Sequence, residues 1–211
     1  MLASGKGTGG GRIRDFERTR AALLQAARRL FAEKGYADCG TPELVEAARL
    51  TRGALYHHFD DKKALFRAVV EDVERDILAA IEARAAAAVD PWEGLLGGCL
   101  AFLDVCARPD VRRILLLDAP AVLGWSEWRA IDASYGVGSL AQGIRACQAE
   151  GLFTDLPERA LTHLISGALN EAVFLIAEAA DPAAVRTEID QTIEQLLLAL
   201  RDRRRGSFTE T

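Results

Sequence analysis

Two very short predicted helices, joined by a tight turn, constrain the fold of this chain more than any other feature. Residues 35–65 read GYADCGTPELVEAARLTRGALYHHFDDKKAL. The pattern predicts helices over 41–48 and 51–58, with a turn at Arg49-Leu50 between them. Helices of this length are unstable alone in water, so tertiary packing must hold both of them. The apolar residues available for that packing are Leu44, Ala48, Leu55 and Phe59.

The outward face of the second short helix has the composition of a DNA-binding surface. It carries Thr51, Arg52, Gly53, Tyr56 and His57. Arginine reaches guanine edges or phosphate, tyrosine and histidine bond phosphate oxygens, and a helix N-terminus attracts phosphate. The pattern is typical of a helix-turn-helix whose second helix enters the major groove. The alternative is an ordinary helical hairpin with a polar face.

Helical periodicity extends along the rest of the chain. Apolar residues recur at the helical period from Asp15 to Lys34, and Gly35 ends that helix. Further helices are predicted over 62–88, 91–108, 110–119, 127–150, 157–180 and 182–203. Half of the residues are apolar, and no alternating run is long enough to indicate a strand. We therefore expect an all-α fold, with a glycine-rich flexible tail at 1–14 and a second tail at 206–211.

Charge is divided unevenly along the chain. Residues 1–70 carry 13 basic and 8 acidic residues, a balance of +5, whereas residues 71–211 carry 13 and 23, a balance of −10. A basic head on an acidic body favours a polyanionic partner for the head alone. The competing hypothesis is a helical protein-interaction module without sequence-specific DNA binding. A steep fall of affinity with salt would distinguish DNA binding from it.

Motifs for catalysis, metal binding and membrane insertion are incomplete. Segment 124–128, GWSEW, lacks the second glycine and the preceding strand of a nucleophile elbow, so we expect no enzyme. The four cysteines have no paired spacing, and we expect neither a disulfide framework nor a metal or other cofactor. The apolar run 161–180 is interrupted by polar residues, and the N-terminus has no apolar signal segment. We therefore expect a cytoplasmic protein that makes no membrane contact.

Distinctive motifs cluster between residues 20 and 70. They are Leu30-Phe31 with Gly35-Tyr36, Leu44-Val45-x-x-Ala48, and Thr51-Arg52-Gly53-Ala54-Leu55-Tyr56-His57-His58-Phe59 followed by Lys62. Together they resemble the DNA-binding domain of the tetracycline-repressor (TetR) family. The rest of the chain matches that family only in length and helical content. The resemblance implies a three-helix DNA-binding domain over 15–60 and a larger helical domain over 61–205 that binds a ligand and dimerises.

The resemblance also implies roles for individual residues. Those implied to contact operator DNA are Thr51, Arg52, Gly53, Tyr56 and His57, and Lys62 is implied to contact backbone phosphate. Two positions depart from the family pattern. Arg49 stands where glycine is usual, so we expect it to adopt a left-handed conformation. Gly40 stands where Ser or Thr usually caps the helix and touches phosphate, so Thr41 is expected to replace that contact.

The last two predicted helices have apolar faces wider than one packing partner covers. The candidate interface residues are Leu161, Ile165, Leu169, Val173, Ile193, Leu196, Leu197 and Leu200. We expect a homodimer through these helices, with burial inside one protomer as the alternative. Two-fold symmetry then calls for a palindromic double-stranded DNA site. Asn170 and Glu171 interrupt the apolar run and could face the interface, a pocket or solvent.

A ligand pocket is expected in the acidic body. The candidate lining residues are Phe102, Trp125, Trp128, His163, Asn170 and Phe174. Such residues can line a mostly apolar cavity, although aromatic residues at helical spacing are also common in cores. They favour a small organic effector over a phosphate or a metal ion. The chain is thus predicted to be a transcriptional regulator, by resemblance a repressor, that a small organic ligand releases from DNA.

Overall fold

The part of the chain that the structure describes is helical, with no strand. In this computed structural model, residues 9–201 are described. The helices are α1 (Gly9–Lys34), α2 (Thr41–Ala47), α3 (Arg52–His58), α4 (Lys62–Ala86), α5 (Pro91–Cys106), α6 (Pro109–Arg112), α7 (Ala119–Leu123), α8 (Trp125–Ser134), α9 (Gly136–Ala149), α10 (Glu158–Glu178) and α11 (Pro182–Arg201). A π-helical turn, Arg113–Asp118, joins α6 to α7. The predicted all-α fold is confirmed.

The N-terminal head consists of α1, α2 and α3 packed on the start of α4. Ala27 and Phe31 lie on one face of α1 and are fully buried, as their helical spacing predicts. Phe31 packs edge-on against Phe66 of α4, with ring centroids 5.2 Å apart. Leu44 of α2 and Leu55 of α3 belong to the same core. The two short helices are therefore held by tertiary packing, as expected.

Side chains before α3 and α4 cap the N-termini of these helices. Thr51 Oγ1 accepts a hydrogen bond from the Ala54 N–H at 3.2 Å. Asp61 Oδ1 accepts one from the Ala64 N–H at 2.7 Å and so begins α4. Arg49 has φ of 55°, which confirms the left-handed conformation expected in the turn between α2 and α3. Each of these bonds satisfies a backbone donor that a helix end leaves without a partner.

Helix α1 starts earlier than its sequence pattern predicts. It begins at Gly9, so the predicted tail over 1–14 is wrong for residues 9–14. Glycine is unfavourable in a helix, and the three glycines at 9–11 are the reason that the sequence pattern predicted a later start. The remaining tail residues 1–8, and the predicted C-terminal tail 206–211, lie outside the described residues.

The single helix predicted over 127–150 is two helices. They are separated by Tyr135, which has φ of −123° and ψ of −96°. Gly138 of α9 lies so close to the end of α8 that a Cβ atom on it would be 2.9 Å from the carbonyl oxygen of Ala133. Only glycine permits this approach, and the chain therefore bends where an unbroken helical pattern had been expected.

The body is built around α4, α5, α9 and α10. The four residues between α4 and α5 return the chain directly, so these two helices pack along each other. Helix α9 packs on α5 and α10, and α11 packs on α10 and α5. Ile77 of α4, Leu103 of α5 and Ile144 of α9 are fully buried in this core. The space between these helices contains the cavity described below.

Hydrogen bonds near the π-helical turn tie the head to the body. The Arg113 guanidinium donates to the carbonyl oxygens of Glu33, at 3.2 Å, and Lys34, at 2.8 Å. The Asp118 carboxylate accepts the backbone N–H of Tyr36 at 2.8 Å. Helix α4 also passes from the head into the body without interruption. The end of α1 is therefore fixed to the body independently of α4.

Most residues predicted for a dimer interface are buried inside the protomer instead. Leu161, Ile165, Leu169 and Val173 of α10 and Leu197 of α11 are at most 6% exposed. Ile193, Leu196 and Leu200 of α11 keep exposed surface. Helical spacing identifies an apolar face but not the partner that covers it, so the interface prediction is wrong for the five buried residues.

Helix α10 has the length and apolar composition of a membrane span, and 44% of that segment is buried inside the protein. Its apolar residues therefore serve the core of the body. The exposed apolar side chains of α10 and α11 are Leu164, Leu175 and Leu196. Leu164 and Leu175 are eleven residues apart, about three turns, and so lie on the same exposed face of α10.

Candidate nucleic-acid interface and internal cavity

The structure places the predicted DNA-contacting face of α3 on the surface. Arg52, Gly53 and His57 are exposed, and Tyr56 is 42% exposed. Leu55, between them, is fully buried, so the inward and outward faces follow the helical period as predicted. The Arg52 guanidinium lies 5.5 Å from the centroid of the Tyr56 ring. The Arg52 guanidinium and the Tyr56 hydroxyl are therefore on neighbouring side chains, an arrangement that can bind one phosphate or one base edge.

The N-termini of α2 and α3 lie beside that face. Thr51 is exposed, and its hydroxyl caps α3 while keeping its own proton free to donate. Gly40 is the N-cap of α2 and offers no side-chain hydrogen bond. Thr41 follows it in a half-buried position. A contact between Thr41 and phosphate stays a prediction.

The Lys62 ammonium group, which was predicted to contact phosphate, forms hydrogen bonds within the protein. Its ammonium donates to the carbonyl oxygens of Tyr36, at 2.7 Å, and Cys39, at 2.8 Å. It also lies 4.0 Å from the centroid of the Tyr36 ring. Two of its three donors therefore hold the loop between α1 and α2. The sequence signal at Lys62 identified a position in the motif but not these partners, which are distant in sequence.

We expect the Lys62→Met variant to lose thermal stability. Methionine keeps the apolar stem but leaves the two carbonyl groups without their donor, a cost of about 1–3 kcal/mol. Thermal denaturation by circular dichroism measures the loss. Lys63→Met is the control, because the Lys63 ammonium is more exposed and makes only long contacts, at 3.5 Å to Glu127 and 3.4 Å to the Leu123 carbonyl. Equal melting temperatures for the two variants would contradict the role assigned to Lys62.

Phe16 supports α3 from the start of α1, a contact that the sequence did not reveal. Its ring centroid lies 4.1 Å from that of His58 and 5.8 Å from that of His57. His58 Nδ1 is buried without a hydrogen-bond partner among the described residues. Burial, aided by the nearby charges of His57 and Arg20, lowers the pKa of His58. A neutral His58 against an aromatic ring holds α3 on α1, and an isolated aromatic residue at position 16 gives no signal for this.

The body contains a cavity of about 390 Å³ enclosed by α4, α5, α8, α9 and α10. Its walls are mostly apolar, formed by Leu95, Phe102, Leu140 and Leu169 among others. Small residues provide the space, including Gly94, Gly98 and Gly143. The volume and apolar walls are typical of a site for a small organic molecule.

Of the six residues predicted to line a pocket, only Phe102 lines this cavity. Trp125 is 68% exposed, and Trp128 is buried beside it, with ring centroids 4.9 Å apart. His163 is exposed, with its Nδ1 3.1 Å from the Arg129 guanidinium. Asn170 and Phe174 are half-buried on α10 and do not border the cavity. The aromatic or polar type of these residues was a poor guide, because the position of the cavity depends on where small residues leave room between helices.

Two buried carboxyl groups lie at the α4–α8 side of the cavity. Glu74 is 2% exposed and Asp132 is 8% exposed. The side-chain oxygens Asp132 Oδ1 and Glu74 Oε2 lie 3.5 Å and 3.9 Å from the point that a Cβ atom on Gly136 would occupy. Burial, reinforced by the charge of Asp132, raises the pKa of Glu74 to about 8. Sequence reasoning missed both residues, because an acidic residue on a helix is usually a solvated one.

Asp132 is partly neutralised by a cation. Its Oδ2 accepts a hydrogen bond from the Arg129 guanidinium at 2.7 Å. Burial raises the pKa of Asp132, although Arg129 and His163 act in the opposite direction. Within residues 9–201, no group of three or more His, Cys, Asp or Glu side chains is arranged to hold a metal ion.

Two family models match the chain, one over the head and one over the body. One, described as "Bacterial regulatory proteins, tetR family", matches residues 23–69. The other, described as "Tetracyclin repressor-like, C-terminal domain", matches residues 92–200. The first covers the head with its exposed α3 face, and the second covers most of the body.

Several known proteins are similar over most of the chain. The HTH-type transcriptional repressor Rv1474c of Mycobacterium tuberculosis is 32% identical over 182 residues, covering 81% of this chain and 89% of that protein. The Transposon Tn10 TetC protein of Escherichia coli is 28% identical, covering 72% and 77%. The crystal structure of a TetR-family transcriptional regulator from Pectobacterium atrosepticum is 39% identical. It has a TM-score of 0.74 and covers 91% of this chain and 98% of that one.

Proposed function

The chain belongs to the TetR family of DNA-binding transcriptional regulators, and we propose that it is a cytoplasmic repressor that a small organic ligand releases from a palindromic operator. The observation that carries the proposal is the path of α4. Its first residue, Lys62, lies beside α3, and its last turns, at Ile81, Glu82 and Ala85, line the cavity. One helix thus connects the DNA-facing surface with the ligand site.

Because α4 is long, a small tilt of this helix at the cavity produces a larger displacement at its DNA-proximal end. Its 25 residues span roughly 37 Å at about 1.5 Å per residue. A tilt of a few degrees at one end displaces the other end by an ångström or more. The two recognition helices of a dimer must stand about 34 Å apart, one turn of DNA. A ligand that binds the splayed form better by about 1–3 kcal/mol changes operator affinity 5- to 150-fold.

The proposed homodimer uses the last two helices of each protomer. The exposed apolar side chains Leu164 and Leu175 of α10 and Leu196 of α11 support this arrangement. Of the residues predicted for the interface, Ile193, Leu196 and Leu200 are the three that keep exposed surface. Two-fold symmetry brings the same residues of both protomers together. It also orients the two α3 helices toward two half-sites of opposite direction.

Footprinting of the purified protein on DNA upstream of its own gene tests the proposal. We expect one protected palindrome whose half-sites are about ten base pairs apart, centre to centre, or a multiple of that spacing. Affinity should fall steeply with salt as phosphate contacts release counterions. A panel of small organic compounds should contain at least one that removes the protection. A protein that is monomeric by light scattering, or that protects no sequence, would refute the proposed mechanism.

A further inference from the structure

The cavity has an excess of negative charge that its walls do not balance. Its lining includes the acidic residues Glu82, Asp90 and Asp132, and no Lys, Arg or His from the described residues. The other polar groups of the lining are neutral, Ser139, Gln142 and Ser166. Asp132 is buried, so its charge is screened little by solvent, whereas Glu82 and Asp90 are exposed and their charges are screened. The electrostatics of the site therefore favour a cation over an anion.

Glu74 is a buried polar group without a partner. It is 2% exposed, and its carboxyl group has no hydrogen bond or ion pair with any described residue. Its Oε2 and Asp132 Oδ1 converge on the position where Gly136 lacks a side chain, and Gly136 and Asp132 line the cavity. A buried carboxyl group without a partner is costly for a protein to keep. Glu74 does not itself line the cavity, but it adjoins Asp132 and Gly136, which do, so a ligand group placed beside Gly136 would provide the missing partner.

When Glu74 is ionised, the charge balance of this group of side chains favours a single positive charge. Arg129 donates a hydrogen bond to Oδ2 of Asp132, the backbone of Val137 also bonds this carboxylate, and Oδ1 lies 3.5 Å from the Cβ position of Gly136. With both carboxyl groups ionised, Glu74, Asp132 and Arg129 together carry one net negative charge. A monovalent cation would neutralise it, whereas an anionic ligand would add a second uncompensated charge in a buried place.

From these observations we propose that the effector is an organic cation with an apolar body, its positive centre bound between Glu74 and Asp132 beside Gly136. The apolar body then packs against Leu95 and Phe102 in the rest of the cavity. This inference rests on the proposed function, because it names the class of ligand for the same site. It also explains why α4 responds, since Glu74 stands in the middle of that helix.

Binding of a cation at this place has a proton linkage. The carboxyl group of Glu74, with a pKa of about 8, must ionise to accept the cation. The titratable groups that face Glu74 from other helices are Asp132 of α8 and Cys106 of α5. Arg129 and His163 act on Asp132. For a permanently charged ligand, affinity is expected to rise about eightfold between pH 6.5 and 7.5 as Glu74 gives up its proton.

Calorimetric titration of the full-length protein with matched compounds tests the inference. The probes are benzyl-, phenethyl- and hexyltrimethylammonium ions, and the controls are the neutral isosteres with a tert-butyl group in place of trimethylammonium. We expect at least one cation to bind tenfold or more tightly than its isostere and to release operator DNA. Glu74→Gln and Asp132→Asn should remove that preference, and Glu74→Gln should also remove the dependence on pH. Glu71→Gln, the same substitution one turn away at a surface pair with Arg67, should change neither.

The outcomes separate the ligand class from the proposed function. If isosteres bind as tightly as cations, or none of the three cations binds, the inference is wrong while regulation by another compound stands. If a cation binds with the expected preference but operator affinity is unchanged at saturation, the ligand class is correct and the proposed mechanism of release fails. If the preference persists in Glu74→Gln and Asp132→Asn, the cation binds elsewhere and the inference is wrong.

Discussion

The Arg52→Ala variant is expected to lose operator affinity by about 30-fold or more while its melting temperature stays nearly unchanged. A side chain that contacts a base edge or phosphate contributes about 1–3 kcal/mol. A dimer has two copies of Arg52, which gives about 2–6 kcal/mol in total, or about 30-fold to 10⁴-fold in affinity. Arg52 is exposed, so little stability is lost with it. Fluorescence anisotropy with a labelled operator and thermal denaturation measure the two quantities.

Arg75→Ala provides the matched control for Arg52→Ala. Arg75 lies on α4, away from α3, and pairs with Asp72 at 3.1 Å on the surface. Its removal changes the net charge by the same amount without altering the α3 face. Operator affinity should therefore stay within a factor of about three of the original protein, because a distant surface charge acts only through a screened field. Equal losses for Arg52→Ala and Arg75→Ala would show that α3 is not the recognition helix.

The Glu74→Gln variant is expected to be more stable than the original protein above pH 7, by up to about 5 kcal/mol. The pKa of Glu74 is raised from 4.5 to about 8 in the folded state, and each unit corresponds to about 1.4 kcal/mol. The folded state therefore keeps a proton that the unfolded state has released. Between pH 4.5 and 8 the original protein loses stability with each rise in pH. Glutamine has no charge to bury and escapes this loss.

Urea unfolding at pH 4, 6 and 8 measures the effect of Glu74→Gln. Below the unfolded pKa of 4.5 the carboxyl is protonated in both states, so at pH 4 the two proteins should be nearly equal in stability. The difference should grow to pH 6 and grow again to pH 8. Glu71→Gln should show no comparable trend, because Glu71 is half-exposed. A constant difference at all three pH values would mean that Glu74 is not buried as a protonated group.

The exposed face of α3 was predictable because its determinants are local in sequence. Helix capping by Thr51, the left-handed turn at Arg49 and the helical period of Leu55 together determine which side of α3 faces outward. These signals lie within a few residues of one another, so the local sequence is enough to predict the orientation of α3. Lys62 was harder, because its partners are backbone carbonyl groups of a loop more than twenty residues earlier.

The cavity could not be predicted from side-chain type. Trp125 and Trp128 were expected to line it, yet the space exists where glycine residues of α5 and α9 leave room between helices. An absent side chain has no periodicity, and its effect depends on how two helices cross. The carboxyl groups of Glu74 and Asp132 are 58 residues apart in sequence, so only the packing of α8 on α4 reveals that they converge.

Five residues were wrongly assigned to the dimer interface for a related reason. The apolar spacing of Leu161, Ile165 and Leu169 correctly identified a face of α10 that packs. It could not decide whether the packing partner is α9 of the same protomer or a helix of a second copy, because both demand the same residue types. Burial in the folded chain resolved the matter in favour of the protomer core.

The hydrogen bonds of Arg113 and Asp118 limit the ways in which the head can move. A head joined to the body through α4 alone could swivel about the axis of that helix in any direction. A second attachment, at the end of α1, prevents most of those rotations. The rotation that remains is about the line that joins the two attachments. Under the proposed mechanism, motion at the cavity would reach the DNA as a rotation with a defined direction, and one rotation angle would set the spacing of the two heads.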